Sequence, residues 1–141
     1  MVVAGALAFV VLGAAAYAVR ARQGVAPIGV PVLADDAPRA PTGVRVRVQV
    51  LNTTRTRGLA RRATRVLRDR GFDVVETGNT APLRDTTLVL DRSGHPEWAA
   101  TVAGILGAGA RSEARPDSSR YLDITVLLGS SWRPPAEPFN P

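Results

Sequence analysis

Hydrophobic and polar residues change rhythm three times along this chain. Met1–Val19 is unbroken by charge and consists of Val, Ala, Leu, Gly and Phe with Tyr17 near its end. As a helix it would reach roughly 28 Å, the thickness of a bilayer's hydrocarbon core. From Val44 the pattern alternates: Val44, Val46, Val48 and Val50 are interleaved with Arg45, Arg47 and Gln49, which predicts a strand with one buried face ending at Asn52. Gly58–Arg70 then turns to helical spacing, with Leu59, Ala63, Val66 and Leu67 on one face and Gly71 placed to close the helix. Phe72–Thr77 reads as a second strand, Gly78–Pro82 as a turn and Thr86–Asp91 as a third strand. Pro96 opens a second helix, with Glu97 beside its positive end and Trp98, Val102, Ile105 and Leu106 as its apolar positions. A short strand over 111–115, a loop over 116–119 and a long strand over Tyr121–Leu128 complete the pattern.

The order β-α-β-β-α-(β)-β predicts an α+β domain. The economical arrangement is a ferredoxin-like split βαββαβ sandwich, with two helices on one face of a mostly antiparallel sheet and the second face open. The domain organisation follows: a transmembrane anchor over 1–19, a Pro-rich linker over 20–42, the folded domain over 43–132 and a Pro-rich tail over 133–141. A cleaved signal peptide competes with the anchor, because Ala16-Tyr17-Ala18 looks like a cleavage site, and so does a buried soluble helix. Arg20 and Arg22 lie C-terminal to the apolar run, which by the positive-inside rule alone keeps the domain in the cytoplasm.

Charge sharpens one element. All 18 basic residues are arginine, and the net charge is +6. Residues 53–70 hold seven of those arginines against a single acid, Asp69, so this stretch accounts for the whole imbalance. Arg61, Arg65 and Arg68 fall within about 60° of one another opposite the apolar face, and they form a candidate surface for an anionic partner. The alternative is a solvated helix face. The turn before the helix is the other candidate: Asn52, Thr53, Thr54, Arg55 and Arg57 combine hydroxyls, guanidinium groups and helix-start N–H groups that suit an anion. The competing reading is a capped strand-to-helix connection.

Enzyme chemistry finds little purchase. There is no cysteine, hence no disulfide and no thiolate metal site. His95 is the only histidine; Ser93, His95 and Asp91 lie too close in sequence for triad geometry. The acids are scattered without metal-ligand spacing, and Gly104, Gly107 and Gly109 follow a helix where a phosphate loop would open one. The expectation is a non-enzymatic protein with no cofactor and no metal.

Val48-Gln-Val-Leu-Asn52, Gly58-Leu-Ala60, Arg70-Gly-Phe-Asp-Val-Val75 with Gly78-Asn79, and Leu122-Asp-Ile-Thr-Val-Leu-Leu-Gly129 together resemble the LytR C-terminal domain family. The family's Asn-Gly-Thr turn stands here as Asn52-Thr53-Thr54, and Ser130-Ser131 precede Trp132 where the family often has an acid. The resemblance implies a stand-alone domain behind one membrane span, an extracytoplasmic location and a connection with the cell envelope. The expected partners are the membrane through residues 1–19 and a wall polymer or wall-synthesis protein. The alternative is a membrane-tethered nucleic-acid binder using the arginine-rich helix 58–70, although no recognised nucleic-acid motif accompanies it.

Overall fold

The computed structural model describes residues 37–107 and 109–136. The expected anchor over 1–19, most of the linker over 20–42 and the end of the tail lie outside the described residues. Among the described residues no helix is long and apolar enough to cross a membrane.

Among the described residues seven elements follow one another: β1 (Arg47–Asn52), α1 (Leu59–Asp69), β2 (Asp73–Asn79), β3 (Leu88–Asp91), α2 (Pro96–Leu106), β4 (Arg111–Ala114) and β5 (Ile124–Leu128). The strands form one sheet in the order β2-β1-β5-β3-β4. The α+β class and the two helices on one face agree with expectation; the two helices also touch each other. The split, mostly antiparallel topology does not hold. β1 pairs directly with β2 in parallel, from Arg47 opposite Asp73 to Asn52 opposite Asn79. β1 with β5 and β3 with β4 are also parallel, and β3 with β5 is the single antiparallel pair.

The reason lies in the connection after β2. Residues 80–87 are too many for a tight hairpin, and their backbone bonds to the ends of β1 and β5 and the residues just beyond them: Thr80 N–H donates to Asn52 O, Arg84 N–H to Thr53 O, and Ser130 and Ser131 donate back to Arg84 O and Asp85 O. The segment therefore crosses the end of the sheet instead of folding β3 back on β2. β5, the most apolar strand, takes the central place; Ile124, Val126 and Leu128 are fully buried.

The core fills the space between sheet and helices. Val48 and Val50 of β1, Val89 of β3 and the inward residues of β5 meet Leu59, Ala63 and Leu67 of α1 and Ala99, Val102 and Leu106 of α2. Each large aliphatic buried in this way contributes about 1.5–3 kcal/mol. α1 closes as its sequence predicts: Gly71 is left-handed (φ 86°), its N–H donates to Arg68 O, and Phe72 N–H donates to Leu67 O while Phe72 packs in the same core. The expected strand starts are trimmed. Val44 and Tyr121 are exposed and precede β1 and β5. Trp98, expected in the core, is only half-buried at its edge and stacks on His95 with ring centroids 3.8 Å apart.

Candidate functional site

The predicted turn is a self-contained knot. Asn52 is buried; its Oδ1 accepts the Thr54 N–H (3.0 Å) and hydroxyl (2.8 Å), and its Nδ2 donates to Thr56 O (2.8 Å). Thr53 is also buried and its hydroxyl donates to Leu128 O at 2.6 Å, stitching the turn to β5. Thr54 is half-buried, and its Oγ1 also accepts the Thr56 N–H. Gly58 enters α1 with φ 82° and no side chain caps the helix start. Only Arg55 and Arg57 of the five predicted residues project fully into solvent.

On α1, Arg61, Arg65 and Arg68 are all exposed, as is Arg62. Arg68 is additionally tied down, its guanidinium donating to Val74 O at 2.9 Å. The arginine face thus lies on the side of the helix opposite Leu59, Ala63 and Leu67, and at its C-terminal end Arg68 turns back to the edge strand β2.

Asp91, Ser93 and His95 form no catalytic set. Asp91 is buried and its Oδ1 accepts the backbone N–H groups of Ser93, Gly94 and His95 at 3.0–3.1 Å, which holds the entry to α2. The imidazole of His95 is exposed and faces Glu97, Nδ1 to Oε1 3.1 Å. Among the described residues no group of three or more His, Asp or Glu side chains could hold a metal ion.

The second face of the sheet carries a feature that the chain pattern did not announce. Alternation along the strands places Gln49 and Leu51 of β1, Leu90 of β3, and Thr125 and Leu127 of β5 on the side away from the helices, where they floor a cleft of about 350 Å³. Its ends are raised by two connections. Residues 80–84 rise at one end, with a cis Ala81-Pro82 bond, and the 116–121 loop rises at the other. Three guanidinium groups border it: Arg84, Arg92 and Arg120. The floor is polar where it meets Arg92, whose Nε donates to Thr125 Oγ1 (3.2 Å), while the Thr125 hydroxyl donates to Gln49 Oε1 (3.2 Å). Gln49 and Thr125 are 3% and 2% exposed, so these groups sit beneath the cleft and not on its rim.

Asp117 is the one acid on that cleft. The Ser119 hydroxyl and then the Ser119 N–H, both donating to its carboxylate, hold Asp117 below its ordinary pKa of 3.8, and the charges of Arg92 and Arg120 add to the effect. Arg120 also borders two further depressions beside the cleft, which it shares with Tyr121. Tyr121 is 88% exposed. Of the predicted turn residues, Thr53 alone reaches the cleft. Arg84, Arg92 and the adjacent Arg120 and Tyr121 come from three separate connections, and their joint position follows from the sheet order alone.

No curated protein sequence matches this chain. The solution structure of the C-terminal domain of RV0431 is similar, at 26% identity, with 74% of this chain and 83% of that chain covered and a TM-score of 0.40. The LytR_C family, described as LytR cell envelope-related transcriptional attenuator, matches residues 45–132. That span is more than half of the chain, and it contains the five strands and two helices found among the described residues. The chain belongs to the LytR_C family of cell-envelope-related domains.

Proposed function

We propose that this protein is a non-enzymatic cell-envelope module, anchored in the membrane by residues 1–19 with its domain on the extracytoplasmic side. In this reading it holds an anionic wall polymer, or a wall-synthesis partner, against the arginine face of α1. The observation that carries the reading is the division of α1: Leu59, Ala63 and Leu67 are buried in the core, while Arg61, Arg62, Arg65 and Arg68 are exposed, as are Arg55 and Arg57 in the preceding loop. A helix that needed charge only for solubility would mix the two signs; this one carries Asp69 as its only acid. Family membership supplies the envelope setting. Attraction between an arginine face and a polyanion weakens with salt, since exposed charges are screened over about 8 Å at physiological ionic strength.

The test is co-sedimentation of the full chain, in mild detergent, with purified cell-wall sacculi at low and physiological salt. Retention at both salts, lost in an Arg61→Glu/Arg65→Glu variant, is the expected result. Arg68 is left in place because its bond to Val74 O supports the fold. Retention of nucleic acid with no retention of sacculi would overturn the reading in favour of a nucleic-acid binder.

A further inference from the structure

The open face of the sheet is built differently from the arginine helix, and it asks for a different kind of contact. Its floor is neither a dry apolar surface nor a field of charges. Leu51, Leu90 and Leu127 lie beside the buried Gln49–Thr125 pair, with Arg84, Arg92 and Arg120 at the border. The half-buried aliphatic side chains of Leu51 and Leu127 match the C–H face of a sugar ring, while the Gln49–Thr125 pair, buried beneath them and bonded to itself and to Arg92, holds that floor in place. Guanidinium forks at the border match a carboxylate or phosphate on that ring. The cleft's volume of about 350 Å³ falls within the range of small-molecule sites, about 300–1,000 Å³. Beside Arg120, the exposed ring of Tyr121 extends the same surface outward.

We propose that this cleft is a saccharide-binding site that takes an acidic sugar unit of a glycan chain, with Arg84 at one end and Arg120 at the other supplying the positive border that attracts its anionic group and Tyr121 receiving a neighbouring ring. The inference rests on the reading of the protein as a polymer-binding envelope module, and it names a second site on the opposite side of the domain from the α1 face. Charge complementarity selects an anionic occupant: three arginines border the cleft against the single acid Asp117, whose carboxylate is engaged by Ser119 and lies 3.9 Å from the Arg120 guanidinium, so the border keeps a positive excess. The geometry selects a sugar over a peptide. An extended peptide gains most from main-chain pairing at a sheet edge, and the edges are β2 and β4. The cleft lies over β1, β5 and β3, whose main-chain groups already pair with one another. Arg92 is a positioning residue, because its Nε bond to Thr125 and its Nη1 bond to Arg115 O fix the floor and the wall together.

The experiment is titration of the full-length, isotope-labelled chain in detergent with three probes, followed by NMR. The probes are a tetrasaccharide of alternating N-acetylglucosamine and glucuronic acid, a neutral N-acetylglucosamine tetramer and a Glu-rich hexapeptide. The acidic tetrasaccharide is expected to shift the resonances of Gln49, Leu51, Thr125 and Tyr121, with the neutral tetramer at least tenfold weaker. An Arg84→Ala/Arg120→Ala variant is expected to bind the acidic sugar at least tenfold more weakly. Both positions are exposed, and an unchanged amide spectrum away from the cleft verifies that the variant is folded. Shifts confined to α1, equal binding by the variant, or a preference for the hexapeptide would each overturn the site. If sacculi are retained through the arginine helix while the cleft stays silent, the cleft falls and the envelope reading stands. If sacculi are not retained either, both fall.

Discussion

The indole nitrogen of Trp132 donates to the carbonyl of Leu106, 3.2 Å away, in the last turn of α2. A helix leaves its final carbonyls without partners, and here a side chain from beyond β5 reaches across to satisfy one of them. Trp132 is 2% exposed, so its ring is core and offers no face to a ligand. Trp132→Phe keeps most of the packing but strands a buried carbonyl, and a loss of about 1–3 kcal/mol is expected. Trp132→Ala adds a cavity and is expected to cost about 3–5 kcal/mol. Urea unfolding of the two variants beside the parent distinguishes the bond from the ring.

Gly129 sits where the 80–86 connection presses on the end of β5. A Cβ at this position would collide with the backbone of Asp85 and Thr86, which cannot rotate away as a side chain can. Its N–H donates to the buried Thr87 hydroxyl at 3.1 Å, so the strand cannot shift freely either. Gly129→Ala is expected to destabilise the domain by about 1–3 kcal/mol, the usual cost of overpacking. It is also expected to disturb the amide resonance of Arg84, since Arg84 O accepts from Ser130 N–H. Thermal unfolding and the amide spectrum check the two effects separately.

The 116–121 loop is expected to respond to acid later than an ordinary aspartate would. Asp117 is held below 3.8 by Ser119 and then by Arg92 and Arg120. Because its pKa is lowered on folding, the order it imposes is present above the ordinary value and is lost as pH falls through the lowered one. The Ser119 amide should therefore titrate with a midpoint below 3.8, and Asp117→Asn should abolish that titration. NMR followed from neutral to acidic pH measures both.

Local signals in this chain were legible because they depend on near neighbours. The spacing of Leu59, Ala63 and Leu67, the closing Gly71 and the opening Pro96 all stand where the periodicity and end signals put them. The sheet order was not legible, because whether β2 turns back on β3 or pairs only with β1 depends on where residues 80–87 find hydrogen-bond partners. Those partners, Asn52, Thr53, Ser130 and Ser131, are distant in sequence. Gln49 illustrates the same limit: its alternation with valines reads as solvent-facing, yet it is buried beside Thr125, 76 positions later. The cleft was invisible for that reason, since three connections contribute its border and none of them carries a motif.

The placement of β5 has a consequence for the order in which the domain can form. β1 with β2 and β3 with β4 each make a parallel pair around their own helix, and no strand of one pair bonds to a strand of the other. Both pairs join through β5, by β1 on one side and β3 on the other. As the polypeptide is synthesised, the two halves emerge in turn, each a two-stranded fragment with its core face still wet. The fold can close only after Ile124–Leu128 has appeared, so the segment translated last among the strands is the one that makes the two halves into one sheet.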